Sequence, residues 1–249
     1  MLRTLKIMRS HGKQYVPDLK NVELAPLFRG RPEISEDITV EEINDVSKIC
    51  PTDAIIADEF AIDLGKCVFC KECAFALPDK VRFTNDYKIA TNNRSNLIIR
   101  KGAKSVDFDE NEVRKEIRKL FKNALKLRQV SAGGDNSNEM ELNAAGNVNF
   151  DMGRYGIEFV ASPRHADGIV ITGPITENMA EALQICFDAV PSPKIIILVG
   201  TDAISGGIFK DSKALNRSFL DKYPVDLFVP GNPAHPLSFV NGVLKLIGK

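Results

Sequence analysis

Neither sign of charge prevails in this sequence: 33 basic and 33 acidic side chains among 249 residues leave a formal net charge of zero. A general nucleic-acid binder carries a clear basic excess, so that class is set aside. Long apolar runs are missing as well. The longest, such as Ile195–Val199 and Gly168–Thr172, fall far short of the roughly 20 residues that span a bilayer. The opening stretch MLRTLKIMRSHGK is basic but has neither an apolar h-region nor a small-residue cleavage site, so no secretory signal is expected. Tryptophan is absent, and the three histidines, His11, His165 and His235, are scattered and given no catalytic role. No G-x-G-x-x-G phosphate loop occurs, and Ser205-Gly206-Gly207 reads more simply as a strand-to-helix loop. What is present is ordinary for a folded protein. Apolar residues at 44% and charged residues at 27% exclude wholesale disorder, and the length allows one large domain or two modest ones. The expectation is a soluble cytoplasmic chain that can sit at a membrane surface.

Cysteine is scarce, and its placement is informative. The five thiols stand at 50, 67, 70, 73 and 186, four of them within 24 residues. An odd number at such tight spacing does not suit a disulfide framework and points to a metal. Cys67-Val-Phe-Cys70-Lys-Glu-Cys73 is a C-x-x-C-x-x-C run, and Cys50-Pro51 lies 17 residues upstream. Bacterial-type ferredoxins carry C-x-x-C-x-x-C-x-x-x-C-P twice, the fourth cysteine of each unit ligating the other unit's cluster. Cys50, Cys67, Cys70 and Cys73 therefore form one complete ligand set for a [4Fe–4S] cluster. Four thiolates also suit zinc; Pro51 and Pro78, each following a fourth position, favour the cluster. The second set is vacant. Val40, Ile43, Val46 and Leu77 stand where its thiols would be, and their side chains are expected to fill that cavity. Cys186, within ALQICFDAV, is expected to be a buried small hydrophobe without chemistry.

Composition divides the chain. Residues 1–105 are loop-rich and, with the ferredoxin-type cysteine spacing they contain, read as an α+β ferredoxin-like domain. Residues 106–130 predict a basic amphipathic linker helix, with Val113, Ile117, Leu120, Phe121, Ala124 and Leu127 on one face. Arg114, Lys115, Arg118, Lys119, Lys122, Lys126 and Arg128 make the other, as a solvated surface or as a docking face for an acidic partner or anionic membrane. Over 131–249, strand-like runs at Ile157–Ala161, Gly168–Thr172, Lys194–Val199 and Val225–Val229 alternate with helical stretches. These are Glu139–Ala145, Ile175–Val190, Ser212–Lys222 and Pro236–Ile247. That alternation predicts an α/β three-layer domain around a mostly parallel, flavodoxin-like sheet.

Several fixed-order motifs carry a resemblance. IDLGKCVFCKECAFALP, DLKNVELAPLFRGRP and FTNDYKIATNNRSNLII resemble the ferredoxin-like subunit of complex I-related, membrane-bound [NiFe] hydrogenases and formate hydrogenlyases. RYGIEFVASPRHADGIVITGPITENMAEAL, VPSPKIIILVG and PVDLFVPGNP resemble the small subunit of the same enzymes, related to the complex I subunit that holds the terminal cluster. The resemblance implies a fusion of two neighbouring subunits, partnered by a hydrogenase-type large subunit and membrane-arm subunits. It places the chain on the inner face of the cell membrane, without a transmembrane segment of its own. In the small-subunit family four cysteines hold a proximal [4Fe–4S] cluster; this sequence has Asp135, Asn138, Asp202 and Asn232 at those places. A proximal cluster is therefore not expected. A hydrogen-bonded polar plug is favoured there over a site for a hard cation. Arg164 and His165 are the candidate partners for its carboxylates. The implied function is an iron–sulfur subunit carrying one cluster, not catalytic alone. The alternative is a structural or regulatory subunit of a repurposed complex I-like translocating assembly.

Overall fold

The computed structural model describes all residues except 1, 13 and 14. Short elements make up the first hundred residues: α1 (Leu2–His11), β1 (Pro32–Ile34), α2 (Val40–Ile49), β2 (Ile55–Ile56), β3 (Ala61–Asp63), α3 (Glu72–Ala76), β4 (Val81–Phe83) and β5 (Ile98–Arg100). A capping box starts α2: the Glu42 N–H donates to Thr39 Oγ1 at 3.2 Å, and the Thr39 N–H donates to the Glu42 carboxylate at 2.8 Å. β1 pairs antiparallel with β4, while β2, β3 and β5 form a second antiparallel sheet. Of the four apolar residues expected to fill a second cavity, Ile43 and Val46 are buried and Leu77 packs on the same core as Ile43. Val40 opens the first turn of α2, is 60% exposed, and fills nothing.

The second half continues with α4 (Lys115–Phe121), β6 (Leu125–Ser131), α5 (Ser137–Ala145), β7 (Ile157–Phe159), β8 (Gly168–Thr172) and α6 (Glu177–Ala189). It ends with β9 (Ile195–Val199), α7 (Thr201–Ser205), α8 (Ser218–Lys222), β10 (Leu227–Val229) and α9 (Pro236–Ile247). Five strands pair in parallel in the order β10-β9-β8-β6-β7. Counted along the chain this is 2-1-3-4-5, the flavodoxin-like arrangement, in which a crevice opens at the carboxyl ends of the strands. Alternate residues of β8 and β9 explain the layers. Ile169, Ile171, Ile196 and Leu198 pack with Leu183, Phe187 and Phe219 of α6 and α8. Val170, Ile195, Ile197 and Val199 face Leu142 of α5 and the apolar side of α9. Both faces are covered, as the apolar strands require.

The helix expected over residues 106–130 is confined to Lys115–Phe121. Val113, Ile117 and Phe121 recur every four residues and are buried, but from Leu125 the period changes to two. Leu125 and Leu127 are buried, Lys126 between them is exposed, and the segment enters the sheet as β6. Its basic residues accordingly form no single face. Arg114 forks onto Asp226 at 2.9 and 3.0 Å and donates to Lys194 O at 2.6 Å, whereas Lys126 lies on a strand beside Glu158.

Contacts across the two halves are extensive. Leu19, Tyr87 and Ala90 pack into the α9 side of the sheet. Thr91 and Phe228 exchange two backbone hydrogen bonds, at 3.0 and 2.8 Å, so the first half borders the outer edge of β10.

Candidate metal centre

Four local features bring the thiols together. Cys50 ends α2, Cys67 and Cys70 lie on the loop after β3, and Cys73 lies within α3. All four line one small cavity walled by Pro51, Ala54, Ile55, Ile62, Val68 and Phe83. Asp63 organises the loop. Its carboxylate accepts from the Gly65 N–H at 2.8 Å and from both Nη atoms of Arg94, at 2.8 and 2.6 Å, and its carbonyl accepts from the Cys67 N–H at 2.9 Å. Phe69 (φ 53°) and Lys71 (φ 72°) adopt left-handed conformations uncommon for residues with a Cβ. They flank Cys70 and curl the loop around the cavity. Backbone donors already reach two sulfurs: the Ala54 N–H lies 3.2 Å from Cys50 Sγ and the Phe69 N–H 3.3 Å from Cys67 Sγ.

Burial, reinforced by the neighbouring thiols, pushes the Cys67 thiol well above the ordinary cysteine range and Cys73 up to about 11. Metal-free, these groups are neutral and must lose protons to become ligands. Among the described residues, no three His, Cys, Asp or Glu side chains converge closely enough to share a single ion.

The loops after β6, β9 and β10 converge at the carboxyl end of the sheet and bring Asp135, Asn138, Asp202 and Asn232 to one region. Asn138 is buried, accepts from the Ala234 N–H at 2.9 Å, and presses on Gly200, where a side chain would collide with it. Asp135 stays on the exposed loop, its carboxylate accepting from the Ser137 N–H and hydroxyl. Asn232 lines a crevice with Phe28, Val68 and His235. Asp202 is buried, and among the described residues its Oδ1 finds no hydrogen-bond partner. Burial raises the Asp202 pKa, the Asp135 charge adds to the effect, and Arg217 partly offsets it. The polar plug is thus satisfied at Asn138 and unsatisfied at Asp202.

Arg164 and His165 do not serve this region. They precede β8, at the amino end of the strands, and line a groove with Leu120, Lys126 and Pro193. The arginine that does is Arg217, which donates to the carbonyls of Pro174, Ala203 and Ile204 at 2.8–2.9 Å. The two centres touch. Thr201 Oγ1 donates to the Cys67 carbonyl at 2.7 Å, and Lys210 pairs with Asp53 at 2.5 Å. Glu139 is also buried and accepts from Thr172 Oγ1 at 2.6 Å. Sequence reasoning passed over Asp63, Arg94, Thr201, Glu139 and Arg217. Only Asp63, four residues before Cys67, carried a local signal. His235 caps α9, its Nδ1 accepting from the Leu237 N–H at 3.2 Å, between the rings of Phe28 and Phe150. Cys186 is half-buried on α6, less enclosed than expected.

Residues 136–246 match the family described as NADH ubiquinone oxidoreductase, 20 Kd subunit. The chain is 36% identical over 120 residues to a probable membrane-bound hydrogenase subunit, mbhJ, of Pyrococcus furiosus; the match covers 48% of this chain and 72% of that protein. It is also 36% identical over 135 residues to an uncharacterized protein of Methanocaldococcus jannaschii, covering 53% of this chain and 90% of the relative. Against an NADH-quinone oxidoreductase subunit of Heliobacterium modesticaldum the identity is 44% over 111 residues, covering 44% of this chain and 63% of the relative. Among solved structures, a chain of the membrane-bound sulfane sulfur reductase, an archaeal respiratory membrane complex, is similar at 28% identity and a TM-score of 0.46. That likeness covers 53% of this chain and 73% of that one.

Proposed function

In its second half the chain belongs to the NADH ubiquinone oxidoreductase 20 Kd subunit family, and from that membership we propose that it is an iron–sulfur subunit of a complex I-like, membrane-bound hydrogenase-type assembly. The observation that carries the reading is the cavity shared by Cys50, Cys67, Cys70 and Cys73. A four-iron cube takes each thiolate on a different iron and asks four sulfurs to surround a volume. Zinc asks them to lie about 2.3 Å from one point. The C-x-x-C-x-x-C spacing, with Pro51 after Cys50, favours the cube over zinc, and one [4Fe–4S] cluster held by these four cysteines would supply one-electron transfer. Ala54 and Phe69 N–H groups stabilise thiolate charge there, and the Asp63–Arg94 fork holds the loop in shape. In this reading the chain fuses a ferredoxin-type half to a small-subunit half. A large subunit and membrane-arm subunits are its partners at the cytoplasmic face of the membrane. No helix of the described residues is long and apolar enough to cross that membrane.

A second reading is favoured by the residues at Asp135, Asn138, Asp202 and Asn232. None offers a thiolate, so a proximal cluster is absent in this account and an electron path through the small-subunit half is interrupted. The chain is then a non-redox structural or regulatory subunit of a repurposed assembly, its cluster stapling the first half. Iron and sulfide analysis of anaerobically purified protein tests the shared premise. About four of each per chain is expected; about eight, or zinc in their place, overturns it. Cys70→Ser in the assembled complex separates the readings. Loss of the cluster together with electron transfer supports the first, and loss of the cluster with activity retained supports the second.

A further inference from the structure

The helix α1 buries none of its residues against the rest of the chain. Leu2, Leu5 and Met8 are 78%, 53% and 64% exposed. They recur at i, i+3 and i+6 and make a continuous apolar stripe. Arg3, Lys6 and Arg9 repeat the same spacing one residue on, so a basic stripe runs beside the apolar one, turned by about 100°. The helix contains no acidic residue and ends with His11 in its last turn. Folding alone explains nothing about this arrangement, because water gains nothing from a ten-residue helix with an exposed leucine row. Past the helix the chain is fastened to the second half: the Val16 N–H donates to Asn149 O at 2.8 Å and Arg154 donates to Val16 O at 2.6 Å. Val148, next to that fastening, is 67% exposed.

We propose that α1 lies flat on an anionic phospholipid surface, its Leu2–Leu5–Met8 row in the acyl boundary and Arg3, Lys6 and Arg9 at headgroup level. Two facts select this occupant. Apolar and basic stripes side by side fit an interface with an apolar side and an anionic side, and the uniform sign of charge repels a basic surface and gains little from a neutral one. Arg3, Lys6 and Arg9 place a cation on every turn of the described helix, which suits a helix lying on the bilayer and not one crossing it. The inference rests on α1 alone and is independent of what the cysteines bind.

The test uses the full chain with vesicles of phosphatidylcholine alone and of phosphatidylcholine mixed with phosphatidylglycerol. Because tryptophan is otherwise absent, Leu5→Trp reports insertion directly. Its emission is expected to shift to shorter wavelength only with the anionic vesicles, while Ile185→Trp, at a 63% exposed position on α6, does not shift. Each of Arg3→Glu, Lys6→Glu and Arg9→Glu is expected to weaken vesicle partitioning at least about fivefold, and raised salt to weaken it further. Equal partitioning to both vesicle types, or no shift from Leu5→Trp, overturns the proposal. So does retention of the chain by membrane subunits in detergent with no vesicle binding, which would assign α1 to a protein surface.

Discussion

Replacing Arg94 with alanine leaves the Asp63 carboxylate, 4% exposed, with the Gly65 N–H as its remaining donor in place of three. Breaking a fully buried ion pair by removing one partner costs roughly 3–5 kcal/mol. The Arg94 side chain is 35% exposed, so water can enter the space it leaves and replace part of the lost hydrogen bonding. The expected cost is therefore about 2–3 kcal/mol, below the buried-pair range. For a chain of this length that is a fall in Tm of roughly 4–12 °C. The consequence should reach the thiols, because Asp63 also accepts from the Cys67 N–H through its carbonyl and sets the start of the ligand loop. Two assays follow the two effects: thermal and urea unfolding of the metal-free chain, and iron per chain after reconstitution. Arg94→Lys keeps the charge but not the two-pronged geometry and should fall between the parent and Arg94→Ala. Adding Asp63→Asn to Arg94→Ala removes the stranded charge and should recover part of the stability. If Arg94→Ala changed stability by less than about 0.5 kcal/mol and left iron content unaltered, the assigned role of the fork would be refuted.

Two further substitutions probe titratable groups. Burial holds the pKa of His235 at about 4, below its ordinary 6.5, so the unfolded chain takes up that proton first as pH falls. Its contribution is whole above pH 6.5 and is lost as pH falls toward 4, by up to about 3 kcal/mol. His235→Asn keeps a capping acceptor for α9 and should flatten urea-derived stability over that window; an unchanged slope would contradict the assignment. At Asp202 the sign is opposite. Its folded pKa is raised, so the unfolded chain releases the proton first and stability is lost as pH rises through the folded value. Asp202→Asn should stabilise the chain at pH 7 and above and have little effect in acid, measured by denaturation at both ends. A loss at both ends would show that the ionised carboxylate is required.

The parts that could be read from the chain were those fixed by near neighbours. The convergence of the four thiols on one cavity is legible because three of them lie within seven residues on one loop and short helix. β8 and α9 match their expected bounds because Gly168 and Pro236 mark their starts. β6 was hidden for a physical reason. Leu120, Phe121, Ala124 and Leu127 satisfy a helical period, and pairing with β8 and β7, rather than local propensity, makes Leu125–Ser131 a strand. α8 begins at Ser218 and not at Ser212 because the backbone of Ala214–Asn216 is committed to the segment leading into α6: Ala214 O accepts from the Glu177 N–H at 2.7 Å and the Asn216 N–H donates to Ile175 O at 2.9 Å. Arg94 reaches Asp63 from 31 residues away, and no pattern in the intervening sequence announces it. Arg164 illustrates the converse. Its motif drew attention, but the direction of β8 puts it at the far end of the sheet from Asp202.

The pairing of Thr91 with Phe228 bears on why the two halves are one polypeptide. A terminal strand with free N–H and C=O groups is a template on which other chains can assemble. Here the guard against such assembly is carried in the same molecule, where tethering keeps its local concentration high at any protein concentration. Made alone, the second half would expose the rim of β10 together with the apolar surface that Leu19, Tyr87 and Ala90 cover. Self-association through that rim is the expected fate of the severed piece. Covalent continuity thus protects solubility as well as holding the thiol centre against the sheet.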